Sequence, residues 1–260
     1  MNVELQLGTF SATLGILYQK GVRFGTVIDL GCADGTFYLD HFNCGLFPGA
    51  TSLNVDANAL YEPSLRDIQQ ALGGHYVIAG ISDHDGEIEL LSGSHPYWAS
   101  AAPPDHPYWS GSHNRPGSTT KVRAFTLDTL VRELALKPPF LLKLDLQTGE
   151  LAALRGGEKT LAETDLVICE TAADEFPAVC EFLVKHDLAL FDLTTLARYA
   201  DGTLCQFYPV FLSRRLDQVK MKEPFADPAQ KAGLLAAQDE RRRRLLARNA
   251  KILADIRAKA

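Results

Sequence analysis

The feature that most constrains the fold of this chain is a glycine turn that follows a short apolar run. Thr26 to Asp29 predicts a first strand, and the chain continues as Leu30-Gly31-Cys32-Ala33-Asp34-Gly35 into a predicted helix from Thr36 to Cys44. Glycine at such a turn lets the backbone approach a bound nucleotide or amino acid closely. The turn therefore predicts an α/β fold whose first strand ends at a ligand site.

Strand and helix patterns alternate along most of the 260 residues, which predicts a parallel sheet with helices on both faces. Only a loop, residues 194–205, separates the last two predicted strands, so we expect the last strand to be antiparallel at a sheet edge. The expected fold is α/β and Rossmann-like, with a seven-stranded, mostly parallel sheet. Its later strands are predicted over 52–56, 75–81, 140–146, 165–170, 188–193 and 206–214, with an extra strand over 87–91 and helices over 61–72 and 176–186.

The sequence divides into three parts. Residues 1–23 predict an N-terminal helical segment, 24–214 the main domain, and 215–260 a basic amphipathic helix. Residues 92–120 form an insertion within the main domain and contain a repeat, in which His95-Pro96-Tyr97-Trp98 returns as His106-Pro107-Tyr108-Trp109. The C-terminal helix is expected to carry an apolar stripe among its Arg and Lys residues. That stripe consists of Leu245, Leu246, Ile252, Leu253 and Ile256.

Charge is unevenly distributed in a chain whose net charge is −6. Residues 229–260 carry nine Lys or Arg and three acidic residues, so the remainder has a net charge of −12. An acidic body of this kind disfavours a nucleic-acid partner. Five cysteines without a C-x-x-C pair disfavour a disulfide framework or a zinc site, and no apolar run is long enough for a membrane span. A cytoplasmic location is expected.

The glycine turn also indicates which cofactor it binds. Gly31 would open the G-x-G-x-x-G pattern of dinucleotide enzymes, but Ala33 and Thr36 occupy the later glycine positions. The acid Asp29 suits a cationic cofactor better than a pyrophosphate. These residues predict S-adenosylmethionine, whose amino and sulfonium groups are positive, with Gly35 and Phe37 also near the cofactor.

Acidic residues at two later strand ends fit the same cofactor. Asp56, followed by Ala57, ends the second strand, where an acid accepts hydrogen bonds from ribose hydroxyls. Ser82-Asp83 follows the third strand, where an adenine edge would lie. The alternative is that these acids only cap helices and turns.

Later motifs resemble the FkbM family of methyltransferases. Lys143-Leu144-Asp145-Leu146-Gln147-Thr148-Gly149-Glu150, followed by Leu154-Arg155-Gly156, is similar to the family signature K-x-D-x-[EQ]-G-x-E-x-x-x-L-x-G, although Thr148 stands at its first glycine. Thr126-Leu127-Asp128-Thr129-Leu130, Ser82-Asp83-His84-Asp85-Gly86 and Gln206–Leu212 resemble further family segments. The resemblance covers roughly residues 25–214. It implies a class I methyltransferase fold and O-methylation of a sugar or natural-product hydroxyl.

Three residues, Asp145, Lys143 and His106, are candidates for the chemistry. Asp145 ends the fourth strand at the carboxyl edge, where it could accept a proton from the acceptor or orient it. Lys143 shares that face of the strand and needs a partner, either Asp145 or Glu170. His106 in the insertion, or its neighbours His95 and His113, is an alternative base near neutral pH. Equally, Lys143, Asp145, Glu150 and Glu170 could form a structural ion-pair network.

The insertion is the expected substrate-facing element. Aromatic faces stack on sugar rings and flat acceptors, so Tyr97, Trp98, Tyr108 and Trp109 are candidates for substrate binding together with Glu170. The alternative is an ordered surface arm or an oligomer contact through exposed aromatic residues. No carboxylate spacing supports a metal site beside the histidines.

Three functions compete. The leading hypothesis is an S-adenosylmethionine-dependent O-methyltransferase acting on a saccharide or small molecule. A second is an RNA methyltransferase that uses the basic C-terminal helix, which includes Arg241 to Arg244. A third is a non-catalytic cofactor-binding assembly protein. A homo-oligomer could form through the C-terminal helix or through the aromatic insertion.

Overall fold

The computed structural model describes residues 7–93, 95, 99–109, 117–220 and 228–259. The chain divides into two compact units, Met1–Val219 and Lys220–Ala260. The helices are α1 Phe10–Gln19, α2 Thr36–Asn43, α3 Glu62–Leu72, α4 Leu127–Glu133, α5 Glu150–Arg155, α6 Glu158–Leu161, α7 Phe176–Lys185 and α8 Pro228–Lys259. The strands are β1 Thr26–Leu30, β2 Thr51–Asp56, β3 His75–Ile78, β4 Gly80–Ile81, β5 Gly86–Ser92, β6 Ala99–Ser100, β7 Thr119–Phe125, β8 Phe140–Leu144, β9 Thr164–Cys169, β10 Thr171–Ala172, β11 Leu188–Arg198 and β12 Leu204–Ser213.

The main sheet of the first unit has the strand order β3-β2-β1-β8-β9-β12-β11. Strands β3 to β9 in this order are parallel neighbours, whereas β12 is antiparallel to both β9 and β11. The two-residue strand β10 adds a short contact at the edge of β12. The α/β fold with a seven-stranded, mostly parallel sheet and an antiparallel last strand is therefore confirmed. It places the carboxyl ends of β1, β2, β8 and β9 side by side.

Helices cover both faces of this sheet because the central strands are apolar on both sides. Leu142 and Leu144 of β8 pack in one core cluster, with residues of α4 to α7, while the intervening Leu141 faces a second cluster with α1, α2 and α3. All residues of β1, β8 and β9 are buried. Continuous apolar runs of this kind are typical of parallel strands covered on both faces.

The strand predicted over 75–81 is divided in the structure, which contradicts its prediction as one continuous element. β3 pairs with β2, whereas β4 pairs with β7 in a second sheet of order β4-β7-β5-β6. A Cβ on Gly80 would overlap the side chain of Ile88, so glycine allows β5 to approach β4 closely. The predicted extra strand is β5, but its partner β7 was not anticipated.

The last two strands form a longer hairpin than the sequence indicated. β11 extends to Arg198 and β12 begins at Leu204, so most of the expected loop over 194–205 belongs to strands. The helix predicted after Pro228 is confirmed as α8. Leu245 and Leu246 are exposed within this unit, and Glu240 pairs with Arg244 on the same helix. None of the helices that the structure describes is long and apolar enough to cross a membrane.

The described part of the insertion packs against the second sheet. β6 extends that sheet beside β5, and residues Pro107–Trp109 form a short 3₁₀ turn. Trp109 is buried against Leu91 and Ala102, and its indole N–H donates to the Ala102 carbonyl at 3.1 Å. Tyr97, Trp98 and His113 lie outside the described residues.

The glycine turn takes a left-handed conformation that brings β1 and β8 together at the ligand edge. Gly31 has φ +72°, and a Cβ there would overlap the backbone carbonyl oxygen of Asp145. At this close approach, the Asp145 N–H donates to the Leu30 carbonyl at 2.9 Å. The Gly31 N–H donates to the Val55 carbonyl at 2.8 Å. Glycine is therefore required at position 31 for conformation and for space.

We predict that Gly31→Ala lowers the free energy of unfolding by about 3 to 5 kcal/mol, because backbone strain and overlap act together. Gly21→Ala is the matched control, because Gly21 has φ +86° but nothing lies within 4 Å of its added Cβ. Strain alone should cost this control about 1 kcal/mol. Urea denaturation followed by circular dichroism measures both; equal losses in the two variants would contradict the predicted overlap.

Candidate active site

A cavity of about 230 Å³ opens at the carboxyl ends of β1, β2 and β8. Parallel α/β sheets bind ligands at this edge. The second sheet closes one side of the cavity through Ile88, Leu90, Ala99 and Ala101. The remaining lining residues are Gly31, Ala33, Val55, Asp56, Ala57, Asn58, Tyr61, Ala79, Gly80, Ile81, Asp145, Leu146, Gln147, Gly149, Glu170 and Gln206.

Asp56 is held at the cavity wall by the backbone. Its Oδ2 accepts a hydrogen bond from the Ala33 N–H at 2.9 Å, and its Oδ1 accepts from the Asn58 N–H at 2.8 Å. Burial raises the pKa of Asp56 despite these two donors. Each carboxylate oxygen keeps a second lone pair, so Asp56 can still accept hydrogen bonds from a ligand hydroxyl.

A buried ion-pair cluster lies beneath the cavity. Lys143 Nζ is 3.1 Å from Asp29 Oδ1 and 3.3 Å from Asp145 Oδ2, and it donates to the Gly31 carbonyl at 3.2 Å. Burial acts to lower the pKa of Lys143, but the charges of Asp29 and Asp145 outweigh it and raise this pKa above its usual range. Lys143 is therefore a fixed cation. The predicted partner Asp145 is confirmed, and Asp29 is a second partner that the sequence did not indicate.

Asp145 and Glu170 form a carboxyl pair at the junction of β8 and β9. Gln147 Nε2 donates to Asp145 Oδ1 at 2.9 Å and to Glu170 Oε2 at 2.7 Å. The Tyr208 hydroxyl lies 2.8 Å from Asp145 Oδ2 and 3.2 Å from Glu170 Oε1, and Gln206 Nε2 donates to Glu170 Oε1 at 2.6 Å. Three side chains thus hold the two carboxyl groups in one network.

The two carboxyl groups of this pair differ in proton affinity. Burial and the charge of Asp145 raise the pKa of Glu170 well above its usual range. Burial acts to raise the pKa of Asp145 as well, but the Lys143 charge and hydrogen bonds from its neighbours outweigh it and lower this pKa. Two interacting carboxyl groups release their protons in separate steps. The opposed directions make Asp145 the member with the lower pKa and Glu170 the member with the higher one.

A second, smaller cavity of about 50 Å³ adjoins this carboxyl pair. It shares Gln147, Glu170 and Gln206 with the first cavity. Burial raises the pKa of Glu150 to about 7, and burial with the Asp174 charge raises the pKa of Glu175. The other lining residues are Tyr108, Thr148, Thr171 and Ala172, so most of the residues around it carry a hydroxyl, amide or carboxyl group.

The structure brings together only part of the predicted cofactor set. Gly31, Ala33, Asp56 and Ala57 line the first cavity, whereas Asp29 lies behind it, paired with Lys143. Three candidates that follow the turn do not line the cavity. Gly35 packs on Ile68, Thr36 donates to Asp34 at 2.7 Å, and Phe37 packs edge-on against Phe10 with ring centroids 5.7 Å apart.

Ser82 and Asp83 also lie outside the cavity lining. The preceding residues Ala79, Gly80 and Ile81 line it instead, because the chain passes from β3 into β4 there. Asp83 is largely exposed and pairs with His84 at 2.8 Å. Their predicted contact with adenine therefore has no support in the lining of this cavity.

The insertion residues occupy different positions from one another. Tyr108 lines the second cavity, where Glu170 and Asp145 also lie nearby, whereas Trp109 is buried in the insertion's own core. His106 lines neither cavity; its Nδ1 accepts from the Tyr108 N–H at 3.2 Å. The described His95 is exposed.

Three site residues were missed in the sequence: Gln147, Gln206 and Tyr208. Gln147 stands in the quoted signature, directly after Asp145 and Leu146. Gln206 and Tyr208 belong to the quoted terminal strand and are two residues apart, so their side chains share one face of β12. Period-two alternation could therefore have indicated this pair once the sheet order was known.

Comparisons with solved structures gave matches of low identity. A methyltransferase FkbM from Methylobacillus flagellatus KT aligns with 11% identity and a TM-score of 0.45, over 71% of this chain and 43% of its own. This chain thus spans less than half the length of that protein. A precorrin-6y C5,15-methyltransferase from Geobacter metallireducens GS-15 aligns with 10% identity and a TM-score of 0.42, over 82% and 93%. An rRNA methylase from Streptococcus thermophilus aligns with 11% identity and a TM-score of 0.42, over 77% of this chain and 93% of its own.

A family model decides the relationship. No curated protein matches the sequence. The model of the methyltransferase FkbM domain matches residues 37–193, which is more than half of the chain and includes the Lys143 to Gly156 signature. This chain therefore belongs to the FkbM family of methyltransferases.

Proposed function

We propose that this chain transfers a methyl group from S-adenosylmethionine to a hydroxyl of a saccharide or natural-product small molecule. The observation that carries the proposal is the Asp145–Glu170 carboxyl pair: both residues line the larger cavity, and Glu170 also lines the smaller one. A methyl donor in the first cavity and an acceptor hydroxyl in the second would meet at this pair. Both cavities share Gln147, Glu170 and Gln206.

The residues of the first cavity fit the cofactor. Asp56 offers free lone pairs to ribose hydroxyls, and Ile81, Ile88 and Leu90 provide apolar surface for an adenine ring. No Lys, Arg or His is among the described residues that line this cavity. Its acidic character therefore suits a cofactor with a positive sulfonium and a positive amino group.

The lining of the second cavity favours a hydroxylated acceptor. Tyr108, Thr148 and Thr171 offer hydroxyl groups and Gln147 and Gln206 offer amides, while Ala172 alone of its described lining is apolar. No Lys, Arg or His is among the described residues that line it, so an anion would meet carboxyl groups there and no cation. A neutral sugar hydroxyl fits this wall better than an RNA phosphate backbone, which needs cationic contacts.

When bound, S-adenosylmethionine supplies an electrophilic methyl group, which an acceptor oxygen takes by in-line displacement with the C–S electron pair remaining on sulfur. Asp145 is ionised and accepts the hydroxyl proton as the new O–C bond forms. Glu170 already holds a proton and therefore orients the acceptor instead of deprotonating it. Lys143 lies behind Asp145 and keeps it ionised.

Positioning is the other contribution of these residues. Gln147, Tyr208 and Gln206 fix the carboxyl pair by five hydrogen bonds or short contacts, all from 2.6 to 3.2 Å. A base held this rigidly selects one hydroxyl and aligns it with the methyl group. Alignment of two reactants supplies a large part of the acceleration in a bimolecular transfer.

The basic helix α8 is the one feature that favours the RNA alternative. Arg243 and Arg244 are exposed on it and pair only with Glu240 among the described residues. A tritiated-methyl transfer screen over fractionated glycans, metabolites and RNA separates the two hypotheses. Label in the RNA fraction alone would overturn the proposal.

We predict that Asp56→Asn weakens cofactor binding about 10-fold or more, because a hydrogen bond to a charged group contributes roughly 1.5 to 3 kcal/mol. Titration calorimetry with S-adenosylmethionine measures the change. Asp83→Asn is the matched control, since Asp83 lies outside the cavity lining and should leave the affinity unchanged. A larger loss in the control than in Asp56→Asn would reassign the ribose site.

We predict that Asp145→Asn lowers methyl transfer by about 100- to 10,000-fold while cofactor binding is retained, because it removes the base but keeps the shape. Single-turnover transfer of tritiated methyl to the acceptor found in the screen measures the rate. Asp85→Asn is the control, because Asp85 accepts hydrogen bonds from Thr126 and Thr129 outside both cavities. Full activity in Asp145→Asn would exclude Asp145 as the base.

A further inference from the structure

The side-chain amide of Gln147 is held at three points. Its Nε2 donates to Asp145 Oδ1 at 2.9 Å and to Glu170 Oε2 at 2.7 Å, while its Oε1 accepts from the Tyr108 hydroxyl at 2.9 Å. The two carboxyl contacts fix the NH₂ group, and the tyrosine contact fixes the oxygen on the opposite side. The plane of the amide therefore has one orientation.

The same short segment of the insertion also holds the Gln147 backbone. Gln147 has a positive φ of +52°, and its carbonyl accepts from Ser100 Oγ at 2.5 Å. Ser100 and Tyr108 both belong to residues 99–109, which we call the 99–109 segment. Trp109 anchors this segment by its buried indole. Thus one segment holds both the backbone and the side chain of Gln147.

We propose that Tyr108 is a positioning residue that acts through Gln147 and couples the seating of the 99–109 segment to the proton-sharing state of the Asp145–Glu170 pair. The proposal rests on the proposed function for its catalytic meaning, but its structural part concerns the carboxyl pair alone. The sequence predicts that Tyr108 stacks on a substrate through its ring. The geometry indicates a role for its hydroxyl instead, because that hydroxyl donates a hydrogen bond to Gln147 Oε1.

The direction of the effect follows from the hydrogen bonds. A Gln147 N–H stabilises the ionised form of the carboxyl group to which it donates, so its loss raises the pKa of the pair. Without the Tyr108 hydroxyl, the Gln147 amide is free to turn and the pair loses its donors part of the time. Tyr108→Phe replaces none of the other titratable groups that face the pair, which are Lys143, Asp29, Asp56, Glu150, Cys169, Glu175 and Tyr208.

A double-mutant cycle tests the coupling with a readout that needs no methyl transfer. Carboxyl carbons of Asp and Glu are labelled with ¹³C in the full chain, and the Glu170 signal is assigned with Glu170→Gln. We expect Gln147→Met to raise the titration midpoint of the pair by about one pH unit, the share of one hydrogen bond. Tyr108→Phe should raise it by about half as much, and adding Tyr108→Phe to Gln147→Met should raise it no further.

Tyr38→Phe is the matched control, because it also removes one buried hydroxyl, which bonds Ser52 in the core. It should leave the midpoint unchanged. An unmoved midpoint in Tyr108→Phe, or additive shifts in the double variant, would overturn the proposal.

Methyl transfer is then measured separately: the kcat of Tyr108→Phe should fall about 10-fold with an unchanged KM for the cofactor, because a misplaced base loses part of its contribution. An inactive wild-type chain would count against the proposed function, while the titration would still decide the role of Tyr108.

Discussion

The buried contact of Lys143 with Asp29 and Asp145 is the interaction on which the rest of the site depends. It connects β1 to the end of β8, directly beneath the Gly31 turn. Apart from Lys143, no described group bonds to the Asp29 oxygens, so loss of this lysine would leave a buried charge unpaired. Burial raises the pKa of Asp29 and the Lys143 charge opposes this rise, so the lysine also favours the ionised form of Asp29 beneath the cavity.

This cluster also explains why neighbouring acids behave differently. Asp145 contacts Lys143 and is ionised, whereas Glu170 lies one strand further away and is dominated by burial and by the Asp145 charge. One fixed cation thus separates the pKa values of two similar carboxyl groups, lowering that of Asp145 while that of Glu170 stays raised. Environment, not residue type, sets this difference.

The sequence predicted the parts of the structure that depend on local pattern. The glycine turn, the central strands and Lys143 beside Asp145 follow from short motifs with a period of two. The break at Gly80 and the second sheet could not be predicted, because they depend on Ile88 approaching from a distant segment. Ser82 and Asp83 lie outside the cavity lining for that reason, since β3 ends before the end of the predicted strand.

The direction in which each side chain points was the other property that the sequence could not predict. Trp109 and Tyr108 are adjacent in one aromatic repeat, yet Trp109 is buried while the Tyr108 hydroxyl reaches Gln147. Their rings meet edge-on with centroids 4.7 Å apart, so packing of the first fixes the direction of the second. Composition identified the insertion as part of the site, but only the fold separates its anchor from its polar contact.

Thr148 shows how the insertion and the signature turn depend on each other. It has φ +86°, a left-handed conformation that costs a β-branched residue about 1 to 3 kcal/mol, at the position of the signature's first glycine. Ser100 Oγ lies 3.1 Å from Thr148 Oγ1 and donates to the adjacent Gln147 carbonyl. Glycine would remove the strain but also the hydroxyl that Ser100 contacts. A threonine at this position is therefore explained by the 99–109 segment, which the turn must hold as well as Gln147.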